Sequence, residues 1–162
     1  MHKPAQKIRT RALNLLARRE HSYRELYQKL IRAESDPQEI NDVLADLVTN
    51  HSLSDERFAQ SYLRVRAEKG FGPERIRAEL LQRGVSIDLV EACLQTEKKL
   101  WVKRGKKLKQ KKFTVTEEAN QLDAKTRAKQ MRFFYSRGFS AEQIQQIFEQ
   151  DYEEIEYTYD ER

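Results

Sequence analysis

Ser22-Tyr23-Arg24-Glu25-Leu26-Tyr27-Gln28-Lys29-Leu30-Ile31 is the stretch that decides the fold. Its apolar side chains fall at Tyr23, Leu26, Tyr27, Leu30 and Ile31, the i, i+3, i+4, i+7, i+8 spacing of one helix face. Ser22, with Glu25 three residues on, has the form of a capping box. Upstream, Ile8, Ala12, Leu15 and Leu16 make a second stripe; downstream, Ile40, Val43, Leu44, Leu47 and Val48 make a third. Asp36-Pro37-Gln38-Glu39 opens that third helix with a capping acid, proline at the first helical position and glutamate at the third. Ser54 before Asp55-Glu56, and Ser140 with Gln143, are further start signals. Gly70, Gly84 and Gly138 each follow a run that ends in Lys or Arg, the chemistry of a helix stop. Strand-like alternation is nearly absent. The chain reads as all-α, with eight or nine short helices.

The pattern repeats. A shift of fifty residues lays Ile8 on Phe58, Leu13 on Leu63, Leu26 on Ile76, Leu30 on Leu80, Ile40 on Val90, Val43 on Cys93 and Leu44 on Leu94. A shift of fifty-four carries Arg83-Gly84-Val85-Ser86 onto Arg137-Gly138-Phe139-Ser140, and Leu80, Val90, Cys93 and Leu94 onto Phe134, Ile144, Ile147 and Phe148. The unit is three helices used three times: residues 1–53, 54–95 and 96–148, with 149–162 as an acidic tail. Residues 113–123 make a longer connection inside the third repeat, whose first helix is basic. Units of this kind bury their stripes partly against neighbours, so an elongated tandem array is expected.

That arrangement accommodates a composition that is only 38% apolar and 35% charged over 162 residues. No run approaches the ~20 apolar residues of a membrane helix. The first residues, Met1-His2-Lys3-Pro4, lead into charged sequence without an apolar signal core. The single cysteine, Cys93, occupies a core position and reads as a small buried hydrophobe, which suits a reducing cytoplasm.

Catalytic chemistry finds no foothold. The three histidines, His2, His21 and His51, are scattered, and no His/Cys spacing suggests a metal. Gly70-Phe71-Gly72 lacks the third glycine of a dinucleotide loop, and Arg104-Gly105-Lys106-Lys107 lacks the upstream glycine and hydroxyl of a P-loop. Glu74, Glu79 and Asp88 read as partners of neighbouring arginines, with Arg75, Glu79 and Arg83 as a ladder at four-residue spacing. The expectation is a protein that is not an enzyme and needs no cofactor.

Charge is where the sequence speaks of partners. The net +5 divides into a tail, residues 149–162, of −6 and a body of +11. Lys98 to Lys112 holds nine Lys/Arg and no acid in fifteen residues: Lys98, Lys99, Lys103, Arg104, Lys106, Lys107, Lys109, Lys111 and Lys112. In the middle repeat the cations are instead nearly all arginine: Arg57 and Arg64 on the exposed face of the helix over 55–69, Arg66 and Lys69 flanking its apolar face, then Arg75, Arg77 and Arg83. Arginine forks match carboxylate or phosphate bidentately, whereas lysine acts as a point charge. The middle repeat therefore reads as a docking face and the lysine run as a steering patch toward a polyanion. The tail, with Tyr152, Ile155, Tyr157 and Tyr159 among its acids, reads as a disordered solubilising segment. Mimicry of nucleic acid, or return onto the lysine run, are the alternatives.

Leu53-Ser54-Asp55-Glu56-Arg57-Phe58-Ala59, then Tyr62 and Arg66, then Gly70-Phe71-Gly72-Pro73-Glu74-Arg75-Ile76, Glu79-Leu80 and Gly84-Val85 resemble the central motif of the RecX family. Arg19-Glu20-His21-Ser22-Tyr23-Arg24-Glu25-Leu26 with Lys29-Leu30 is similar to that family's first-repeat motif, and Tyr135-Ser136-Arg137-Gly138-Phe139-Ser140 with Ile144 resembles its last. The resemblance implies tandem three-helix repeats and a regulator of the RecA recombinase. Family members lodge in the groove of the RecA–DNA filament, contact successive protomers, and suppress ATP hydrolysis and strand exchange. For such a groove the arginine face read above supplies the expected docking residues, Arg57, Arg64, Arg66, Lys69, Arg75 and Arg77, with Lys98–Lys112 assisting by steering. DNA is expected as a weaker, nonspecific partner, and the chain is expected to be a cytoplasmic monomer. The alternative is a stand-alone basic helical protein that binds nucleic acid without a protein partner.

Overall fold

The computed structural model describes residues 3–33, 36–113 and 123–156, with side chains described as far as Glu149. Nine helices and no strand occur among the described residues: α1 (Lys3–Leu16), α2 (Tyr23–Ile31), α3 (Pro37–Thr49), α4 (Asp55–Glu68), α5 (Pro73–Gln82), α6 (Ile87–Thr96), α7 (Trp101–Lys112), α8 (Ala124–Arg137) and α9 (Ala141–Glu156). The expected start signals do their work. Asp36 accepts the Glu39 amide at 3.2 Å, Ser54 accepts that of Arg57 at 3.2 Å, and Ser140 and Gln143 bond reciprocally at 3.0 and 3.2 Å. Gly70, Gly84 and Gly138 stand at φ +83°, +81° and +90°. Each closes its helix with the paired amide-to-carbonyl bonds of a Schellman turn: Phe71 to Arg66 and Gly70 to Ala67, Val85 to Leu80 and Gly84 to Leu81, Phe139 to Phe134 and Gly138 to Tyr135.

The described parts of residues 1–64 and 78–93 form one compact unit, and those of 65–77 and 94–162 another. In the first, α1, α2 and α3 pack on one another around Ile8, Ala12, Leu26, Leu30, Ile40, Leu44 and Leu47. Most positions paired by the fifty-residue shift are buried in both copies. Leu13 is the departure: it is 40% exposed where Leu63 is 4%. Its neighbour one turn back, Arg9, is ion-paired to Asp46 of α3, so that edge of α1 meets a polar rim instead of the core.

A polar seam occupies the start of α2. The Ser22 hydroxyl donates to the Arg83 carbonyl at 2.7 Å and accepts the Glu25 amide at 3.1 Å, while the Tyr23 amide donates to Asp55 at 2.7 Å. The expected capping box is therefore only half closed. The Glu25 carboxylate turns outward, to Arg19 at 2.9 Å and Arg83 at 3.3 Å. Arg83 also stacks 4.6 Å from the Tyr62 ring and donates to the Glu79 carbonyl at 3.0 Å, while the Glu79 carboxylate accepts the Tyr62 hydroxyl at 2.8 Å, so Arg83 meets Glu79 through its backbone and not through the carboxylate of the expected ladder.

In the second unit, α7 and α8 pack on α9. Phe134, Phe139 and Phe148 meet edge to face at 5.5 and 5.8 Å between centroids, beside Ile144 and Ile147. Glycine inside a helix costs about 1 kcal/mol relative to alanine, yet Gly105 is required. A Cβ there would stand 2.2 Å from the Ile147 side chain, so its absence sets how closely α7 and α9 approach. The basic run begins as a 3₁₀ turn, Lys98–Leu100, and becomes α7 only at Trp101, which is buried. The acidic segment, set apart in the sequence from residue 149 on, begins within α9. α9 continues through its first half, to Glu156. Residues 157–162, and the greater part of the 113–123 connection, lie outside the described residues.

Candidate docking surface

Three arginines converge on one ring. Phe71 is the residue after the αL glycine that ends α4, a position whose side chain packs against the residue five before it in a Schellman turn. At the other two turns that pair is apolar: Val85 with Leu80, and Phe139 with Phe134. Here it is Phe71 with Arg66, whose guanidinium lies 3.8 Å from the ring centroid. Arg75, from the first turns of α5, and Arg137, from the end of α8, each lie 4.7 Å from the same centroid. Cation–π attraction of about 0.5–1 kcal/mol at an exposed site offsets part of the repulsion among three like charges.

The backbone beneath is rigid. The Gly72 amide donates to the Arg137 carbonyl at 2.8 Å and the Glu74 amide to the Gly138 carbonyl at 2.9 Å. A Cβ on Gly72 would fall 2.5 Å from the Gly138 carbonyl group. The second glycine of Gly70-Phe71-Gly72 therefore serves close backbone approach, while the first serves the left-handed turn. A shallow depression of about 580 Å³ adjoins this junction, lined by Glu74, Arg75, Tyr135, Ser136, Gly138, Phe139 and Ser140. Tyr135 projects from it, 72% exposed.

The other expected docking residues divide. Lys69 is exposed, and its carbonyl lies 3.5 Å from the Arg137 guanidinium. Arg77 is half-buried and ion-paired with Glu74. Arg64 is exposed on α4. Arg57, although exposed, is engaged in the seam of the first unit, donating to Glu20 at 2.9 Å and to the Ser52 carbonyl at 3.3 Å. That makes it a stabilising contact of the fold. Phe71 and Arg137 were not among the expected docking residues. The glycines flanking Phe71 were the available signal, since they mark a loop that must be approached closely.

On α7 the cations sort by face. Lys103, Lys107, Lys111 and Lys112 are exposed, as are Lys98 and Lys99 on the preceding turn; Lys106 is partly buried. Arg104 is turned inward, 2.6 Å from Glu97 and 5.1 Å from the Trp101 ring. Lys109 lies 4.3 Å from the Phe148 ring and Lys112 4.8 Å from Phe133. Lys99, Lys103, Lys107 and Lys111 stand four residues apart. Within α7 that spacing raises successive charges about 6 Å along the axis, on one side. Like charges so placed destabilise an isolated helix.

Neither remaining titratable feature offers chemistry. Cys93 is buried, and burial pushes its thiol upward, with Glu56 adding to the effect, so it is a poor nucleophile at neutral pH. His21 is 1% exposed, with Nδ1 3.0 Å from the Arg19 carbonyl and Nε2 3.0 Å from the Lys29 ammonium. Both partners are satisfied by a neutral ring carrying its proton on Nδ1. Burial, reinforced by the positive charge of Arg19 and Lys29, lowers its pKa. Among the described residues no group of His, Cys, Asp and Glu could hold a metal ion, and no helix is long and apolar enough to cross a membrane.

These features define an all-α repeat protein whose exposed chemistry is cationic and mounted on stiff, glycine-closed turns. The chain belongs to the RecX family. It matches the family's first three-helix domain over residues 9–47, the second over 54–94 and the third over 98–148. Regulatory protein RecX of Halorhodospira halophila is 38% identical over 137 residues, covering 85% of this chain and 83% of that one. Its namesake in Leptothrix cholodnii is 38% identical over 146 residues, 90% of each chain, and that of Yersinia enterocolitica 34% over 160, covering 86% and 94%. The crystal structure of RecX from Lactobacillus salivarius superimposes with a TM-score of 0.80 over 93% of this chain and 97% of that one; at 22% identity it speaks to the fold.

Proposed function

We propose that this chain is a non-enzymatic regulator that binds the groove of the RecA–DNA filament as a monomer and inhibits RecA's ATPase, recombinase and strand-exchange activity. The observation that carries this reading is the convergence of Arg66, Arg75 and Arg137 on Phe71, at a loop fixed by backbone bonds. Preorganised guanidinium forks suit a groove lined by carboxylate and phosphate, because little side-chain freedom is lost on contact. Membership of a family whose curated relatives are called regulatory proteins supports the same reading. Lys69 extends the face, Arg64 adds an exposed cation of the first unit, and the lysines of α7 steer the approach. Arg57 contributes by holding the fold and not by docking.

Titrating the chain into RecA on single-stranded DNA should suppress ATP hydrolysis at stoichiometric ratios. Arg66→Gln with Arg137→Gln should raise the half-inhibitory concentration at least tenfold, a loss of about 1.4 kcal/mol. Unchanged ATPase and strand exchange with wild-type protein would refute the proposal. The exposed stripe at Lys99, Lys103, Lys107 and Lys111 supports a second reading, stand-alone nucleic-acid binding. In that case affinity for naked DNA would exceed affinity for preformed filament across a salt series.

A further inference from the structure

Tyr135 is left without a role by the docking geometry described above. It follows the buried Phe134 on α8, and the repeat shifts lay it on Leu81 of α5 and Ile31 of α2. That register position is apolar in all three repeats, but its burial differs. Ile31 is half-buried against the core of α1, α2 and α3, Leu81 is 38% exposed and Tyr135 is 72% exposed, the most of any large hydrophobic side chain among the described residues. A lone exposed aromatic is ordinary; the surroundings of this one are not. Its ring borders the depression lined by Glu74, Arg75, Ser136, Gly138, Phe139 and Ser140. The backbone bonds from Gly72 to Arg137 and from Glu74 to Gly138 fix the walls. Glu74 is ion-paired with Arg77 at 2.5 Å, so Arg75, with Arg66 and Arg137 around Phe71, leaves the rim positive.

We propose that Tyr135 and the depression beside it anchor the chain on a protein partner, taking an apolar side chain flanked by carboxylates that pair with Arg75 and Arg137. The inference rests on reading this face as the docking surface, and assigns it to protein and not to the phosphates of nucleic acid. The lining favours that choice. The Ser136 hydroxyl donates to the Phe133 carbonyl at 2.7 Å, and the Ser140 hydroxyl accepts the Gln143 amide at 3.2 Å. With its serines turned to their own backbone, the depression offers shape and apolar contact more than the donors and acceptors that read a base edge. An aromatic ring beside arginines is also the composition of the few residues that carry most of the affinity in protein–protein interfaces.

The test sets two variants of the full chain against three binding partners. Tyr135 is exposed, so Tyr135→Ala should keep the wild-type urea midpoint. Toward preformed RecA–DNA filament it should bind about tenfold more weakly or worse, with Tyr135→Phe within about threefold of wild type. Toward a short single-stranded oligonucleotide alone, wild type and both variants should agree within about twofold, since the ring carries no phosphate contact. A glutamate-rich peptide with one phenylalanine should shift the backbone NMR signals of Gly138, Phe139 and Ser140. The shifts should vanish when the peptide's phenylalanine is replaced by serine, and in Tyr135→Ala. Filament binding by Tyr135→Ala equal to wild type would overturn the proposal. An equal loss toward filament and oligonucleotide would overturn it too, and make Tyr135 a base-stacking residue. So would peptide shifts confined to α7. If the wild-type chain leaves the filament unbound, the reading as a RecA regulator has failed, whereas peptide shifts at Gly138, Phe139 and Ser140 would still report the anchor.

Discussion

Replacing Gly72 by alanine should loosen the second unit through a single methyl group. The Cβ would meet the Gly138 carbonyl carbon and oxygen at 2.5 Å and the Phe139 nitrogen at 2.6 Å, all backbone atoms that cannot swing aside. Gly72 does not sit at positive φ, so the penalty is steric and not conformational. Relief requires the α4–α5 loop to withdraw by about 1 Å, stretching the bonds from Gly72 to Arg137 and from Glu74 to Gly138. Two hydrogen bonds at about 1 kcal/mol each, with an overpacking cost of about 1 kcal/mol at the low end of its range, give ~3 kcal/mol, more than a hundredfold in the unfolding equilibrium. Trp101 is the one tryptophan of the chain and is buried in this unit, so its fluorescence reports the event. At a urea m-value near 2 kcal/mol/M, the midpoint should fall by about 1.5 M. Ser136→Ala, nearby on an exposed face, should move it by no more than about 0.5 kcal/mol. A Gly72→Ala shift as small as that control would mean the loop and the end of α8 part without cost, and the rigid-platform argument would be wrong.

Ser22→Ala removes a cap and leaves the Arg83 carbonyl without its hydroxyl donor at a buried site, so a loss of about 2 kcal/mol is expected in urea melts. His21 is neutral when folded and has its pKa lowered, so the unfolded chain binds the extra proton. Stability should hold above about pH 6.5 and decline as the pH falls below it, by no more than about 1.4 kcal/mol per pH unit for one proton. His21→Phe should flatten that slope between pH 7.5 and 5.5, and an unchanged slope would exonerate His21. Cys93 should react with a thiol reagent far more slowly than free cysteine until urea unfolds the chain, and equal rates would contradict its burial.

Helix identity and repeat register were legible because both rest on spacing. Leu26 with Ile76, Leu30 with Leu80, and Cys93 with Ile147 are buried as the shifts require. The three glycine stops were legible because a left-handed residue after a helix leaves few choices. What spacing could not convey was where a carboxylate turns once its helix is packed. Glu25 had the sequence form of a reciprocal cap, but the guanidinium of Arg83 offers it a charged bond, stronger than the neutral amide it was expected to accept. Arg57 likewise looked like a surface cation, and its partner Glu20 lies thirty-seven residues away in sequence. For the candidate site, Arg66, Arg75 and Lys69 were visible as charges. Their focus on Phe71 was not, since Arg137 arrives from a different repeat. Gly105 was visible only as a gap in a phosphate-loop pattern, and its use is to let Ile147 close on α7.

The seam at the start of α2 has a consequence for how the chain is made. Synthesis delivers residues in order, and α1, α2 and α3 have their apolar partners by Leu53. The Ser22 hydroxyl and the Tyr23 amide do not yet have the acceptors they donate to, and Glu25 has Arg19 but not Arg83. Asp55 emerges thirty-two residues after Tyr23, and Arg83 sixty-one after Ser22. A nascent first repeat leaving the ribosome can therefore collapse early yet hold the mouth of α2 open for the time needed to translate about sixty codons, several seconds at typical rates of 5–20 residues per second. Its last hydrogen bonds wait on the second repeat, which makes the arrival of Arg83 the moment at which the first repeat is finished.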